Sequence, residues 1–276
     1  MKLSRDKIIG IYCIVDDLLK SIHHPEDKRR RVNDSEIITT AIVSAIYFGG
    51  HHDHAIGFMR LTGMIPNMIS TSRFSRRIHQ VGELIIELFL LLSDIIKSMT
   101  AELQYIMDSF PVAACDNIRI SNSKMIKGEK WRGYTASMHR YFYGVKVQLL
   151  INQSGIPINF CFTPGNQSDA KSIARMMEGL PPESQVYADS AYTNYLLEDL
   201  FKNDFIYLRP QRKSNSKRPD IPEDARLITK KRKKVEAIIS NIKKMFPKTI
   251  HAVTLKGFLI KLISFIFAAQ FSKIID

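Results

Sequence analysis

The chain has 276 residues, 45% of them hydrophobic, enough to bury one large core or two smaller ones, so composition argues against a disordered chain. Lys and Arg number 40 against 27 Asp and Glu, a net charge of +13, which points away from cationic partners and toward a polyanion, either nucleic acid or an acidic membrane surface. Cys13, Cys115 and Cys161 are odd in number and widely spaced, so they suggest neither a disulfide framework nor a thiolate zinc site, and a reducing cytoplasm is the expected compartment.

The start MKLSRDKIIGIYCIVDD has acids directly after a short apolar run and no small-residue cleavage site, so it reads as an amphipathic helix rather than a secretion signal. From residue 4 to about 100 the periodicity is helical, with Ile8, Ile11, Tyr12, Val15, Leu18 and Leu19 on one stripe. A second helix should begin near Asn33, which has capping-box spacing to Glu36, and a third should run from about Ser72 to Ser98. Residues 1–100 are therefore expected to form a helical domain, possibly DNA-binding. After Gln104 short β-rich segments alternate with turn signals and helices. QYIMDSFPVAAC reads as a strand ended by Pro111, YGVKVQLLIN and IPINFCFT as a hairpin turned at QSG, and DAKSIARMMEGL as a helix. SQVYADSAY and DFIYLRP read as further strands, with NYLLEDLFKN between them and ITKKRKKVEAIISNIKKMF after them as helices. This order predicts an α/β sheet over residues 101–276, an antiparallel hairpin joined to parallel strands by helical crossovers. The most apolar stretch, Leu259 to Phe271, is interrupted by Lys261 and falls short of the roughly 20 residues of a membrane span, so a buried helix and no membrane partner are expected.

Charge is concentrated. Between Arg209 and Lys261 lie 16 Lys and Arg against 4 Asp and Glu, nearly all of the net positive charge, so this segment should face the polyanion. Three carboxylates stand out against this background. Asp108 lies among apolar strand residues in YIMDSF, where a charge is normally avoided, although it could also cap the turn before Pro111. Asp189 in VYADSAY ends an apolar strand, and a helix N-cap explains it equally well. Acids at strand ends of an open α/β sheet sit where ligand crevices form. Glu236 borders the apolar stripe of Val235, Ile238, Ile239, Ile242 and Phe246, with Arg232 and Lys243 within about 40° of it around the helix; a plain i,i+4 pair with Arg232 is the alternative. Three carboxylates brought together would repel by a few kcal/mol per pair, so their convergence implies bound cations. Hard oxygen ligands select Mg²⁺ or Mn²⁺, and two such ions about 4 Å apart suit phosphodiester chemistry.

MDSFPV, YADSAY and the R-x3-E-x6-K spacing of Arg232, Glu236 and Lys243, with YGVK and TPGNQSDA between, resemble DDE-type transposases of bacterial insertion sequences, closest to the insertion sequence 982 group. FGGHHD in the front third adds a further match. The resemblance implies a ribonuclease H-like catalytic core, a mixed sheet flanked by helices, over about residues 100–270. It further implies that Asp108, Asp189 and Glu236 act as catalytic metal ligands, that Arg232 and Lys243 touch DNA, and that two Mg²⁺ or Mn²⁺ ions are bound. The implied substrates are double-stranded terminal-repeat and target DNA, held by a homo-oligomer on paired ends. The implied reaction frees a 3′-OH at the element end and joins it to target DNA. A metal-dependent nuclease without strand transfer and a non-catalytic terminal-repeat binder are the alternatives. Related groups carry a Tyr before the R-x3-E-x6-K motif, where this chain has Thr229.

Other signals have plainer readings. His51, His52, His54 and Asp53 match no trusted zinc spacing and read as solvated loop or helix-start residues. Arg73, Arg76 and Arg77 at a helix start could meet phosphates or base edges, or form a solvated face. Asp169 could be an auxiliary acid, with an N-cap as the simpler account. Trp131, Arg132 and Tyr134 could stack on a base or pack a loop against the sheet.

Overall fold

The structure, a computed structural model, describes residues 4–115, 120–121, 123–135 and 139–275. The first residues of the amphipathic start, and Ala136 and Ser137 of the EKWRGYTAS stretch, lie outside the described residues. Two compact units divide the chain, one of residues 1–96 with 241–276, the other of residues 97–240. The expected boundary near residue 100 lies beside the first junction, whereas 241–276 groups with the front helices instead of the sheet.

In the first unit α1 (Arg5–Ser21) starts at Ser4, whose side chain accepts from the Lys7 N–H. α2 (Asp34–Tyr47) has the expected capping box: Asn33 accepts from the Glu36 N–H at 2.7 Å, and Glu36 accepts from the Asn33 N–H at 2.8 Å. α2 is buried on nearly every side because α1, α3 (His52–Leu61), α4 (Thr71–Gln80) and α9 (Leu255–Ile274) all pack on it. The single helix expected over residues 72–98 is two, since α4 stops at Val81 and α5 (Gly82–Thr100) follows at once. At that break Gly82 lies so near α9 that a Cβ would come within 2.8 Å of Ile260 Cδ1.

α9 is longer than the apolar stretch suggested. It is long and apolar enough to cross a membrane by length and composition, yet Phe258, Phe265, Phe267 and Phe271 are fully buried in the protein. Each such ring contributes about 1.5–3 kcal/mol by leaving water. Of its buried polar side chains, Ser264 donates to the Ile260 carbonyl and Gln270 Nε2 to Ser93 Oγ at 2.8 Å.

The second unit is a six-stranded mixed sheet flanked by helices. β1 (Gln104–Cys115) pairs antiparallel with β3 (Arg140–Asn152) on one edge and parallel with β5 (Gln185–Ala188) on the other. β4 (Pro157–Pro164) and β2 (Arg132–Thr135) share the outer edge of β3 end to end, and β6 (Tyr207–Pro210) lies beyond β5. The order β4-β3-β1-β5-β6, antiparallel then parallel, is the expected ribonuclease H-like arrangement, and the helical front region makes the whole chain mixed α/β. The QSG turn joins β3 to β4, with Gly155 at φ 85°, a left-handed conformation that glycine tolerates.

Two sequence expectations are corrected here. Pro111 does not end β1, which runs on to Cys115. The parallel ladder with β5 stops at Ile106, so at Pro111 one edge of the strand has no ladder bond to lose. β2 stands where a loop is one of the two expectations for Trp131 to Tyr134: four residues give too short a pattern to see, and they form a strand on the edge that β3 offers. There Arg132 lies 4.4 Å over the Tyr141 ring, and the tilted rings of Tyr134 and Tyr141 meet at 5.0 Å, so both side chains pack across the β2–β3 pair.

Connections carry α6 (Ile173–Met177), α7 (Tyr195–Asn203) and α8 (Pro222–Met245). α8 starts with Pro at the position that lacks an N–H partner anyway, and buries Ile228, Val235, Ile238, Ile239 and Ile242 along one stripe. Lys231 and Lys234 fasten it to the sheet unit by donating to Gln104 Oε1 and the Gln153 carbonyl.

Candidate active site

The register of the parallel ladder decides where the acids meet. Tyr105 faces Val186 and Ile106 faces Tyr187, a constant offset of 81 residues. Asp189 follows Asp108 by the same 81. Continued by two residues, the register brings the aspartates level on neighbouring strands, on one face because the pleat has period two.

Asp108 is partly buried, and its Oδ1 accepts from the Ser109 N–H at 2.8 Å. Burial pushes its carboxyl up to about pH 6; the Ser109 bond and Arg232 oppose the shift, while the Asp189 and Glu236 charges add to it. Asp189 takes the N-cap position that its alternative reading expected. One oxygen caps the short turn Ser190–Tyr192 by accepting from the Ala191 N–H, and the other stands 3.7 Å from Arg232 Nη2. Glu236 reaches the same nitrogen at 3.5 Å, so the i,i+4 pair exists, as part of a larger group.

Arg232 is the hub. Its Nη1 donates to Gln211 Oε1 at 2.7 Å, and its buried Nε has no partner among the described residues. Gln211 went unnoticed in the sequence, although it follows β6 directly and its N–H extends the β5 edge to the Ala188 carbonyl at 2.9 Å. Asp108, Asp189, Arg232 and Glu236 are thus brought together in one unit. Lys243 lies on α8 two turns beyond Glu236, exposed, and past the junction of the units.

Behind the acids runs a buried polar chain that sequence patterns did not reveal. Tyr192 donates its hydroxyl to Gln148 Oε1, Gln148 Nε2 donates to Asp169 Oδ1 at 2.7 Å, and Lys146 Nζ holds the same oxygen at 2.8 Å. Asp169 is therefore a half-buried ion partner, and Ser168 takes the N-cap position expected of it. Burial drives the Tyr192 hydroxyl well above its ordinary range, with the Asp169 and Asp108 charges adding, so it stays a donor.

The basic segment is only partly available to a polyanion. Arg212 forms a bidentate pair with buried Glu198 at 2.9 and 2.6 Å, and Arg218 pairs with Asp199 at 2.8 Å. On α8 a shallow groove of about 350 Å³ is lined by Ala225, Arg226, Thr229, Lys230 and Lys233. Ala225 and Thr229 fall within about 20° of Glu236 around the helix. Thr229 turns its hydroxyl back to the Ala225 carbonyl.

Among the described residues no three His, Cys, Asp or Glu side chains stand close enough to cage a metal ion; the acids gather on Arg232 instead of on one point. Three carboxylates are nevertheless a hard-oxygen donor set suited to Mg²⁺ or Mn²⁺, and a dication would offset both the burial and the neighbouring acids that raise the Asp108 carboxyl. The histidines of α3 form no such group either. His51 occupies the N-cap position without a side-chain bond, and His52 packs edge-on against Phe74 at 5.1 Å with its Nε2 buried, so it is not solvated as expected.

Residues 97–252 match the family model described as the transposase DDE domain. The chain belongs to this family. It is a DDE transposase, a nucleotidyl transferase, and the matched span includes Asp108, Asp189, Arg232, Glu236 and Lys243. The transposase is also similar in fold to the solved piggyBac transposase synaptic complex with hairpin DNA. That match has 11% identity and a TM-score of 0.50, and covers 98% of this chain and 73% of the other. No curated protein matches it in sequence.

Proposed function

We propose that this DDE transposase cuts a strand of double-stranded DNA at the terminal repeat of its element and joins the freed 3′-OH to target DNA, with Asp108, Asp189 and Glu236 as the carboxylates that hold two Mg²⁺ or Mn²⁺ ions. The observation that carries this reading is the shared 81-residue offset that levels Asp108 with Asp189, with Arg232 linking Asp189 to Glu236. The ions, when bound, would polarise the scissile phosphate and make the attacking hydroxyl more acidic.

The chain's own residues supply the rest. Ser109 and Ala191 N–H groups fix the two aspartates through one oxygen each. Arg232, oriented by Gln211, stands between Asp189 and Glu236, where its guanidinium would offset charge beside the scissile phosphate. Arg226, Lys230 and Lys233, which line the α8 groove together with Thr229, would neutralise neighbouring phosphates, and Lys243 would touch DNA further along the helix. In the first step a water oxygen bonds to phosphorus as the P–O3′ bond breaks, and the leaving 3′ oxygen takes a proton. In the second that hydroxyl bonds to a target phosphorus, displaces its 3′ oxygen and gives up the proton. No covalent enzyme intermediate is needed.

We further place the chain in the insertion sequence 982 group, on MDSFPV, YADSAY and FGGHHD, and in a reducing cytoplasm, which suits the lack of a disulfide among Cys13, Cys115 and Cys161. Paired copies on paired ends would complete the assembly. The test is cleavage and joining of the element end by wild type and by Asp108→Asn, Asp189→Asn and Glu236→Gln, with Mg²⁺ and with EDTA. Metal-dependent cutting and joining, lost in each variant while DNA is still bound, is the expected result. Cutting without joining would make the protein a nuclease, and binding without cutting under any metal would make it a terminal-repeat binder.

A further inference from the structure

The first unit has a cationic surface that the chemistry above leaves unused. α4 buries Phe74 and Ile78 and exposes Thr71, Ser72, Arg73, Ser75, Arg76 and Gln80, with no acid anywhere on the helix. Arg73, Arg76 and Gln80 follow one another at i, i+3 and i+7, so they share one face.

The neighbouring Arg77 is engaged in holding the surface together. It donates to the Val32 carbonyl at 3.2 Å and to Asp34 Oδ1 at 2.5 Å. Asp34, only 2% exposed, also accepts from Arg30 at 2.9 Å and contacts His24 Nε2 at 3.0 Å. One buried carboxylate therefore ties α4 to the loop before α2, where Lys28, Arg29 and Arg31 are exposed. Beside this tie a shallow groove of about 300 Å³ is lined by Ile69, Arg73, Arg76, Arg77 and Gln80.

We propose that α4 enters the major groove of duplex DNA, with Arg73, Arg76 and Gln80 reading base edges and Lys28, Arg29 and Arg31 gripping the flanking phosphates. An α-helix is about as wide as the groove, and small hydroxyl residues at its start let the backbone approach. Guanidinium and carboxamide forks are the groups that pair two-pronged with guanine and adenine edges. A membrane surface fits poorly, because the apolar residues of α4 face the core and none remains on its outer side to enter lipid. The proposal rests on the reading of the chain as a DNA transposase and adds where it recognises sequence.

The test selects duplexes from a pool with a randomised centre, using the full chain in EDTA so that binding is read without cleavage. Wild type is expected to enrich one sequence. Arg73→Ala with Arg76→Ala should lower preference for that sequence about tenfold or more, with melting temperature unchanged because both side chains are exposed. Arg73→Lys should keep general affinity and still lose preference, since an ammonium cannot form the two-pronged bond. Lys28→Ala, Arg29→Ala and Arg31→Ala together should weaken all duplexes alike and flatten the salt dependence. An unchanged preference in the Arg73/Arg76 variant would overturn the proposal, as would a wild type that enriches no sequence. So would capture of anionic phosphatidylserine vesicles as tightly as duplex. The cleavage assay on Asp108→Asn stands apart from all of these, so the transposase chemistry and the α4 surface can fail separately.

Discussion

Asp34 in the helical unit and Asp108 in the sheet unit are both carboxylates drawn out of water beside arginines, and they respond in opposite directions. At Asp34 burial alone would raise the carboxyl, but His24, Arg77 and Arg30 outweigh it and hold the group below its ordinary range. At Asp108 burial is the main cause and two further acids add to it against one arginine, so the carboxyl rises to about 6. A structural node gathers more cation than anion, whereas a candidate reactive site gathers more anion than its cations can neutralise. That excess is what makes the second a place for a dication.

The largest expected effect separates the two at once. Asp108→Asn should lower strand cleavage by about a thousandfold or more, roughly 4 kcal/mol of barrier. The same change should leave stability in EDTA equal or up to about 2 kcal/mol higher at neutral pH. The carboxyl is raised in the folded protein, so its charge costs stability as pH climbs from about 4 to 6. The gain of the Asn variant should therefore grow over that window and vanish below it, which denaturation at several pH values would reveal. A less stable Asn variant would mean that the charge is balanced as at Asp34.

Asp34→Ala should do the reverse and destabilise by about 3 kcal/mol, because Arg77, Arg30 and His24 lose a shared partner. Its pKa is lowered by folding, so the wild-type contribution is complete above pH 3.8 and is lost as acid titrates the group below that value. A chemical melt that shows no loss in Asp34→Ala at pH 7 would dismiss the node as structural.

His52 sharpens the comparison with a group whose buried Nε2 has no hydrogen-bond partner among the described residues. Burial, with Lys261 next, lowers its pKa from 6.5 to about 4, so the unfolded chain takes up a proton between those values and the folded chain does not. Stability should be full above pH 6.5 and fall by about 2 kcal/mol toward pH 4, and His52→Leu should flatten that limb in urea melts. The smallest effects belong to the outer cations of α8. Arg226→Ala, Lys230→Ala and Lys233→Ala should each weaken binding severalfold, alike for any duplex, and reduce the salt slope by about one.

Much of this was legible in the residues themselves. Alternation and turn residues marked five of the six strands, the Asn33–Glu36 spacing gave its capping box, and apolar neighbours made Asp108 and Asp189 conspicuous. These are local signals, set by periods of two and 3.6 and by caps a few residues long. Gln211, Gln148 and Tyr192 escaped because their partners lie 21 to 44 residues away, and an amide or hydroxyl carries no pattern that predicts such a partner. Pro111 misled because the unpaired strand edge that tolerates it is not visible locally, and the helix break at Gly82 was not foreseen because Ile260, which crowds that glycine, lies far along the chain.

The sequence by itself determined the element types, the mixed α/β class, the concentration of positive charge and the three acids worth following. Tertiary structure alone decided that β1 and β5 pair at an offset equal to the spacing of the two aspartates, that Arg232 stands among the acids, and that α9 completes the front helices instead of the sheet unit. The reason is physical. Local propensity is fixed by a residue and its near neighbours, whereas register, ion grouping and the partner of an all-round apolar helix are set by which distant surfaces bury one another best.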